Sequence, residues 1–149
     1  MTLPYSSATS GARALEEIQK ILRGFGCNKF GSGTDWGTGE IFIQFEHMGR
    51  MIILKASGKG YAAAMLRERP YTHRMRCTRQ EYEQKALDQG GIAVYSILRD
   101  WVKGQVTAIE IGIMPFEAAF LSYIMLPSGK SVIEEVQAAK MLPPPQEQT

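Results

Sequence analysis

Glu40-Ile-Phe-Ile-Gln-Phe-Glu-His-Met-Gly-Arg-Met-Ile-Ile-Leu-Lys-Ala56 is the stretch that decides the fold. From Glu40 to His47 the residues alternate, with Ile41, Ile43 and Phe45 pointing one way and Gln44 and Glu46 the other. Met48-Gly49 supplies a tight turn, and Arg50 to Ala56 returns as a second strand. The pair reads as an antiparallel hairpin whose apolar face needs a cover.

Upstream, Ser10 caps a helix running to about Phe25, with Leu15, Ile18, Ile21, Leu22 and Phe25 on one face. Gly26 ends it, and Cys27 to Phe30 reads as a short strand. Gly31-Ser-Gly-Thr-Asp-Trp-Gly-Thr-Gly39 is too glycine-rich for regular structure and reads as a loop. Downstream of Ser57-Gly-Lys-Gly60, the run Tyr61 to Arg67 is helical by propensity until Pro70 stops it. The fold class is therefore α+β: an α-β-β-β-α antiparallel sheet module, followed by a helical C-terminal part.

That helical part opens on a capping box, Thr78-Arg-Gln-Glu81, with Gly90-Gly91 expected to bend or split it. From Ile92 onward Val94, Ile97, Leu98, Trp101, Val102 and Ile109 form an apolar stripe, while Arg99, Lys103 and Glu110 face away. Gly112 and Pro115 mark a break before a short apolar helix, Phe116 to Ile124. Pro127-Ser-Gly129 is a turn, and Ser131-Val-Ile-Glu134 caps a last helix ending near Met141. The chain divides into a flexible N-terminus (1–9), a sheet module (10–77), a helical part packed on it (78–142) and a disordered tail (143–149).

With 149 residues, 44% hydrophobic and a net charge of +2, the chain fits one domain, or one domain with a helical extension, and has ample apolar residues for a real core. No apolar run reaches the roughly 18 residues of a membrane span, because Arg99 and Asp100 interrupt the best candidate. The start, MTLPYSSATSGARAL, lacks the basic-then-apolar order of a secretory signal. Cys27 and Cys77 have no CxxC spacing and read as reduced thiols, which implies a cytoplasmic protein without disulfide, metal or cofactor. The apolar helices between Ile92 and Ile124 leave open a monomer core or a homo-oligomer interface.

Motifs for catalysis are thin. Gly129-Lys130-Ser131 imitates the end of a phosphate-binding P-loop, but position 124 is isoleucine where that loop needs glycine. Gly58-Lys-Gly60-Tyr-Ala-Ala63 imitates a dinucleotide fingerprint, yet it follows an antiparallel hairpin and not a parallel strand. What survives there is a helix N-terminus near Lys55 and Lys59 that suits a phosphate. His47 and His73 have no nucleophile or acid at a suggestive local spacing, and Asp100 and Glu110 fall on different helix faces. The expectation is a protein that is not an enzyme.

The strongest chemical signal is Arg67-Glu-Arg69-Pro-Tyr71-Thr-His73-Arg74-Met-Arg76-Cys-Thr-Arg79. Guanidinium groups with an interleaved ring suit phosphate contacts and base stacking. The competing reading is a solvated linker whose arginines pair with Glu68, Glu81 and Glu83. The candidate nucleic-acid-binding set is Lys55, Lys59, Arg67, Arg69, Arg74, Arg76 and Arg79 on phosphate, with Trp36, Tyr61 and Tyr71 stacking. The competing reading of Trp36 is that it folds back over one end of the hairpin.

The block Ile92-AVYSILRDWVKGQVTAIEIGIMPFEAAFLSYIMLPSGKSVIEEV136, with the hairpin Phe42-IQFEHMGRMIILKASGKGYA62, resembles a group of small phage and prophage proteins of unknown function. The recurrent pieces are AIEIGIMPFEAAFL and IMLPSGKSV, and the resemblance implies a phage context inside a host cell. Separately, the α-β-β-β-α order is similar to double-stranded-RNA-binding domains and to the core of phage single-strand annealing proteins. Of the lysines such domains carry at the second helix, Lys59 alone is present. The first expectation is thus a phage accessory protein that binds DNA or RNA with little sequence preference, in recombination or replication. The second is an inhibitor or adaptor that binds a host protein, with the arginines on an acidic surface and Trp36 as anchor.

Overall fold

The computed structural model describes residues 3–147; Met1, Thr2, Gln148 and Thr149, the outer ends of the expected flexible start and tail, lie outside the described residues. The elements are α1 (Gly11–Phe25), β1 (Lys29–Asp35), β2 (Glu40–His47), β3 (Arg50–Ser57), α2 (Gly58–Glu68), α3 (Arg79–Glu110) and α4 (Phe116–Phe120), then a 3₁₀ turn (Leu121–Tyr123) and α5 (Val132–Ala138). The three strands form one antiparallel sheet in the order β1-β2-β3. This is the α+β class, with the α-β-β-β-α module followed by helices.

The β2–β3 hairpin turns on Met48 and Gly49, whose φ values of 49° and 79° are both positive, as a type I′ turn requires. Its register sets Phe45 against Ile52 and Ile43 against Leu54, so the buried residues of both strands share one face. Backbone groups alternate direction along a strand. His47, Phe45, Ile43 and Ile41 therefore bond toward β3, and Glu46, Gln44, Phe42 and Glu40 bond toward β1.

Two glycine readings are corrected. The stretch expected to be a loop from Gly31 is strand as far as Asp35, leaving only Trp36–Gly39 to cross between β1 and β2. Gly33 pairs with Phe42, whose ring lies over it; a Cβ there would meet that ring at 2.4 Å. The glycine is needed for contact with a neighbour and does not signal disorder. Likewise Gly90-Gly91 neither bends nor splits α3, which runs unbroken for 32 residues. A Cβ at Gly90 would sit 2.6 Å from the Gly58 carbonyl oxygen and 3.2 Å from the Ala62 nitrogen. Glycine at 90 lets α2 lie against α3.

One core joins Ile18 and Leu22 of α1, Ile43, Phe45, Ile52 and Leu54 of the sheet, Val102 and Val106 of α3, and Phe120 and Ile124. It draws residues from both sides of the expected 77/78 boundary. The apolar helices from Ile92 onward thus fill this chain's own interior, although Ile97 lies at its exposed margin. Phe120 packs edge-on to Phe45 (5.6 Å) and to Trp101 (5.7 Å). Both expected capping boxes form, at Thr78–Glu81 and Ser131–Glu134, and the Gly129-Lys130-Ser131 stretch is a turn leading into the second of them.

Residues 3–9, loose by composition, make four side-chain hydrogen bonds across the helices. Tyr5 Oη donates to Asp100 (2.6 Å), Gln89 Nε2 donates to the Ser6 and Ala8 carbonyls, and Tyr61 Oη donates to the Pro4 carbonyl.

Candidate nucleic-acid interface

α2 runs back along the first turns of α3, and the link between them folds over the tip of this helical arm. Tyr82 Oη of α3 donates to the Arg69 carbonyl at 2.7 Å, and Tyr71 Oη donates to the Cys77 carbonyl at 2.8 Å. The Arg79 guanidinium lies 5.7 Å from the Tyr71 ring centroid, with Tyr82 at 5.8 Å and His73 at 6.0 Å. Tyr71 is therefore the half-buried hub of the link, with its hydroxyl engaged and a cation already over its ring. Its role as a stacking platform is reduced accordingly.

Arg67, Arg69, Arg74, Arg76 and Arg79 are all exposed. None of them forms an ion pair among the described residues. The expected partner Glu81 is held by the Thr78 N–H at 3.0 Å in the capping box. Pairs form elsewhere instead: Arg50 with Glu117 at 2.6 Å, and Arg99 with Asp100 at 2.9 Å and Glu17 at 3.4 Å. Arg50 and Arg99 hold the carboxyls of Glu117 and Asp100 below the ordinary carboxylate range, with Tyr5 assisting at Asp100.

The rest of the expected set is dispersed. Lys59 is at the opposite end of α2, and eleven residues at 1.5 Å rise make that helix roughly 16 Å long. Its Nζ donates to the Gly37 carbonyl at 3.0 Å. The N–H groups of Gly58 and Gly60 are taken by the Gly39 carbonyl and the Ser57 hydroxyl. The phosphate cradle read at this helix start thus loses donors to local structure. Lys55 lies 3.9 Å from Glu134, and Tyr61 is turned toward Pro4. Trp36 does not fold back: it is 92% exposed at the tip of the β1–β2 loop, at the rim of an open groove of about 610 Å³ beside Leu15, Ile92 and Tyr95.

One constellation has no sequence signal. Cys27 Sγ lies 3.9 Å from His47 Nδ1, although the two are 20 residues apart. His47 stacks on Phe25 (4.2 Å) and faces Phe116 (4.9 Å). Burial pushes the Cys27 thiol up to about 11 and lowers the His47 imidazole below its ordinary value. A nucleophilic dyad needs the reverse, a thiolate stabilised by imidazolium. The pair is a neutral contact at the edge of the aromatic cluster. Among the described residues no group of three or more His, Cys, Asp or Glu is placed to hold a metal, and no helix is long and apolar enough to cross a membrane.

Comparison of the chain with protein-family models, with curated proteins and with solved structures found no match.

Proposed function

We propose that the chain binds the phosphate backbone of nucleic acid through the tip of the α2–α3 arm, with little sequence preference. The observation that carries this reading is the set of five exposed arginines between Arg67 and Arg79 without an acidic partner among the described residues. Unpaired guanidinium groups keep their donors for phosphate oxygens, and each contact formed releases counterions. Lys55, Lys59 and Tyr61 are set aside, because none adjoins the arm tip and Lys59 and Tyr61 are hydrogen-bonded to the Gly37 and Pro4 carbonyls. The resemblance of the AIEIGIMPFEAAFL block to phage proteins is the reason for reading this as an accessory step of phage recombination or replication.

Fluorescence anisotropy of a labelled mixed-sequence oligonucleotide, titrated at several salt concentrations, tests it. Four phosphate contacts give a log–log salt slope on the order of −3 to −4. Arg74→Ala with Arg76→Ala should flatten that slope by about 2. No binding at low salt, or an unchanged slope in the double variant, would overturn the proposal.

A further inference from the structure

The outer edge of β1 is open. β1 pairs only with β2 among the described residues, whereas the far edge beyond β3 is met by Ile124 and Met125, with the Met125 N–H on the Met51 carbonyl at 2.8 Å. The type I′ turn fixes which backbone groups are free. Lys29, Gly31, Gly33 and Asp35 bond toward β2, so Phe30, Ser32 and Thr34 direct their N–H and C=O groups outward. A row of this kind is a template for another strand, and glycine-rich strands resist it least.

The sequence of the edge says which strand. Lys29-Phe-Gly-Ser-Gly-Thr-Asp35 is complementary to itself when run antiparallel about Ser32. Lys29 then faces Asp35 of the second copy, Gly31 faces Gly33, Phe30 faces Thr34, and Ser32 faces itself. This register also puts outward-directed residues opposite outward-directed residues, as the ladder requires, and opposite charges directly across strands are favourable. The charged groups are available for the exchange. Asp35 caps its own turn with Oδ1 alone, accepting from the Gly37 and Thr38 N–H groups. Lys29 touches Glu46 at 3.4 Å while its side chain remains 70% exposed.

A second observation agrees independently. The same two-fold brings Trp36 of one copy level with Asn28 of the other. At that point the α1–β1 junction carries an open cavity of about 330 Å³ lined by Arg23, Cys27, Asn28 and Phe30. Trp36, the most exposed large apolar side chain among the described residues, would then lie beside that cavity.

We propose that β1 pairs antiparallel with β1 of a second copy about Ser32, joining two sheets into one of six strands, with each Trp36 seated on the other copy's α1–β1 junction. Isologous pairing of this kind closes as a dimer and leaves both arms free.

Sedimentation velocity of the full chain over the micromolar range should show the mass rising from 16.6 kDa to twice that value. Trp36 emission should shift to the blue over the same range. Ser32→Pro removes a central outward N–H while sparing every β2 hydrogen bond, and should weaken the dissociation constant by about tenfold or more. Trp36→Ala, at a loop position that is 92% exposed, should abolish the emission shift and weaken association by about tenfold. Circular dichroism checks that Ser32→Pro folds; should it not, Trp36→Ala decides alone. A wild type that stays monomeric, or association unchanged in a folded variant of either kind, overturns the proposal.

Discussion

From Arg79 to Gly91 the buried residues of α3 are Ala86 and Gly90; from Ile92 to Glu110 they include Val102 and Val106, which share one core with α1 and the sheet. Gly58, Ala62, Ala86 and Gly90 are the buried residues of the arm, where the two backbones approach so closely that a single Cβ at Gly90 has no room. In the core Phe45, Phe120, Ile18, Leu22 and Val102 are wholly buried. The core removes much apolar surface from water; the arm removes little and relies on steric fit and on hydrogen bonds from Tyr71 and Tyr82. The difference explains why the unpaired arginines sit where they do. The arm tip has no large core contact to disturb, so its surface is free to carry charge.

Phe120→Ala tests the core half of this contrast and should have the largest effect. It deletes a ring packed on Phe45 and Trp101 and should cost about 3–5 kcal/mol in urea denaturation. A loss below 1 kcal/mol would mean that the aromatic cluster is not what holds the fold. In the arm, Gly90→Ala should cost roughly 1–3 kcal/mol even though alanine is the better helix former, because the clash is with backbone. Its neighbour gives the control. Gly91 has no atom within 4 Å of an added Cβ, so Gly91→Ala should stabilise by up to about 1 kcal/mol. Equal effects at the two glycines would refute the close approach of α2.

Arg74→Ala with Arg76→Ala should change the unfolding free energy by less than about 0.5 kcal/mol while lowering oligonucleotide affinity. A large stability loss would show that the arginines serve the fold instead. The smallest effect concerns pH. Burial lowers the His47 pKa in the folded state, so the unfolded chain binds the extra proton first. The stabilising contribution is complete above the unfolded value, about 6.5, and is lost as pH falls through the lower folded value. The melting temperature should drop over that window, and His47→Gln should remove part of the drop. A variant with the wild-type pH profile would exclude His47 as its source.

Much of the architecture was legible because its signals are local. The alternation of Ile41, Ile43 and Phe45, the Met48-Gly49 turn, and the Thr78 and Ser131 caps each need only a few neighbouring residues to take effect. The glycines misled for the opposite reason. Gly31, Gly33, Gly90 and Gly91 read as loop and hinge by propensity, yet Gly33 and Gly90 are there because a ring or a backbone arrives from elsewhere in the chain. The candidate site was legible only in its sign: the sequence shows the arginines and the acids nearest them in the chain, but not that Glu81 is consumed by a helix cap.

What the sequence by itself determined is the order of elements, the register of the hairpin and the concentration of arginine after α2, since each follows from periodicity, turn chemistry or composition. What only the tertiary structure decided is which groups have partners. Among the described residues it ties Lys59 to Gly37, leaves the arm arginines without an ion pair, brings Cys27 to His47, leaves the outer edge of β1 without a strand and leaves Trp36 in solvent. Partnership depends on distances between residues far apart in the chain, and those distances exist only once the core has closed.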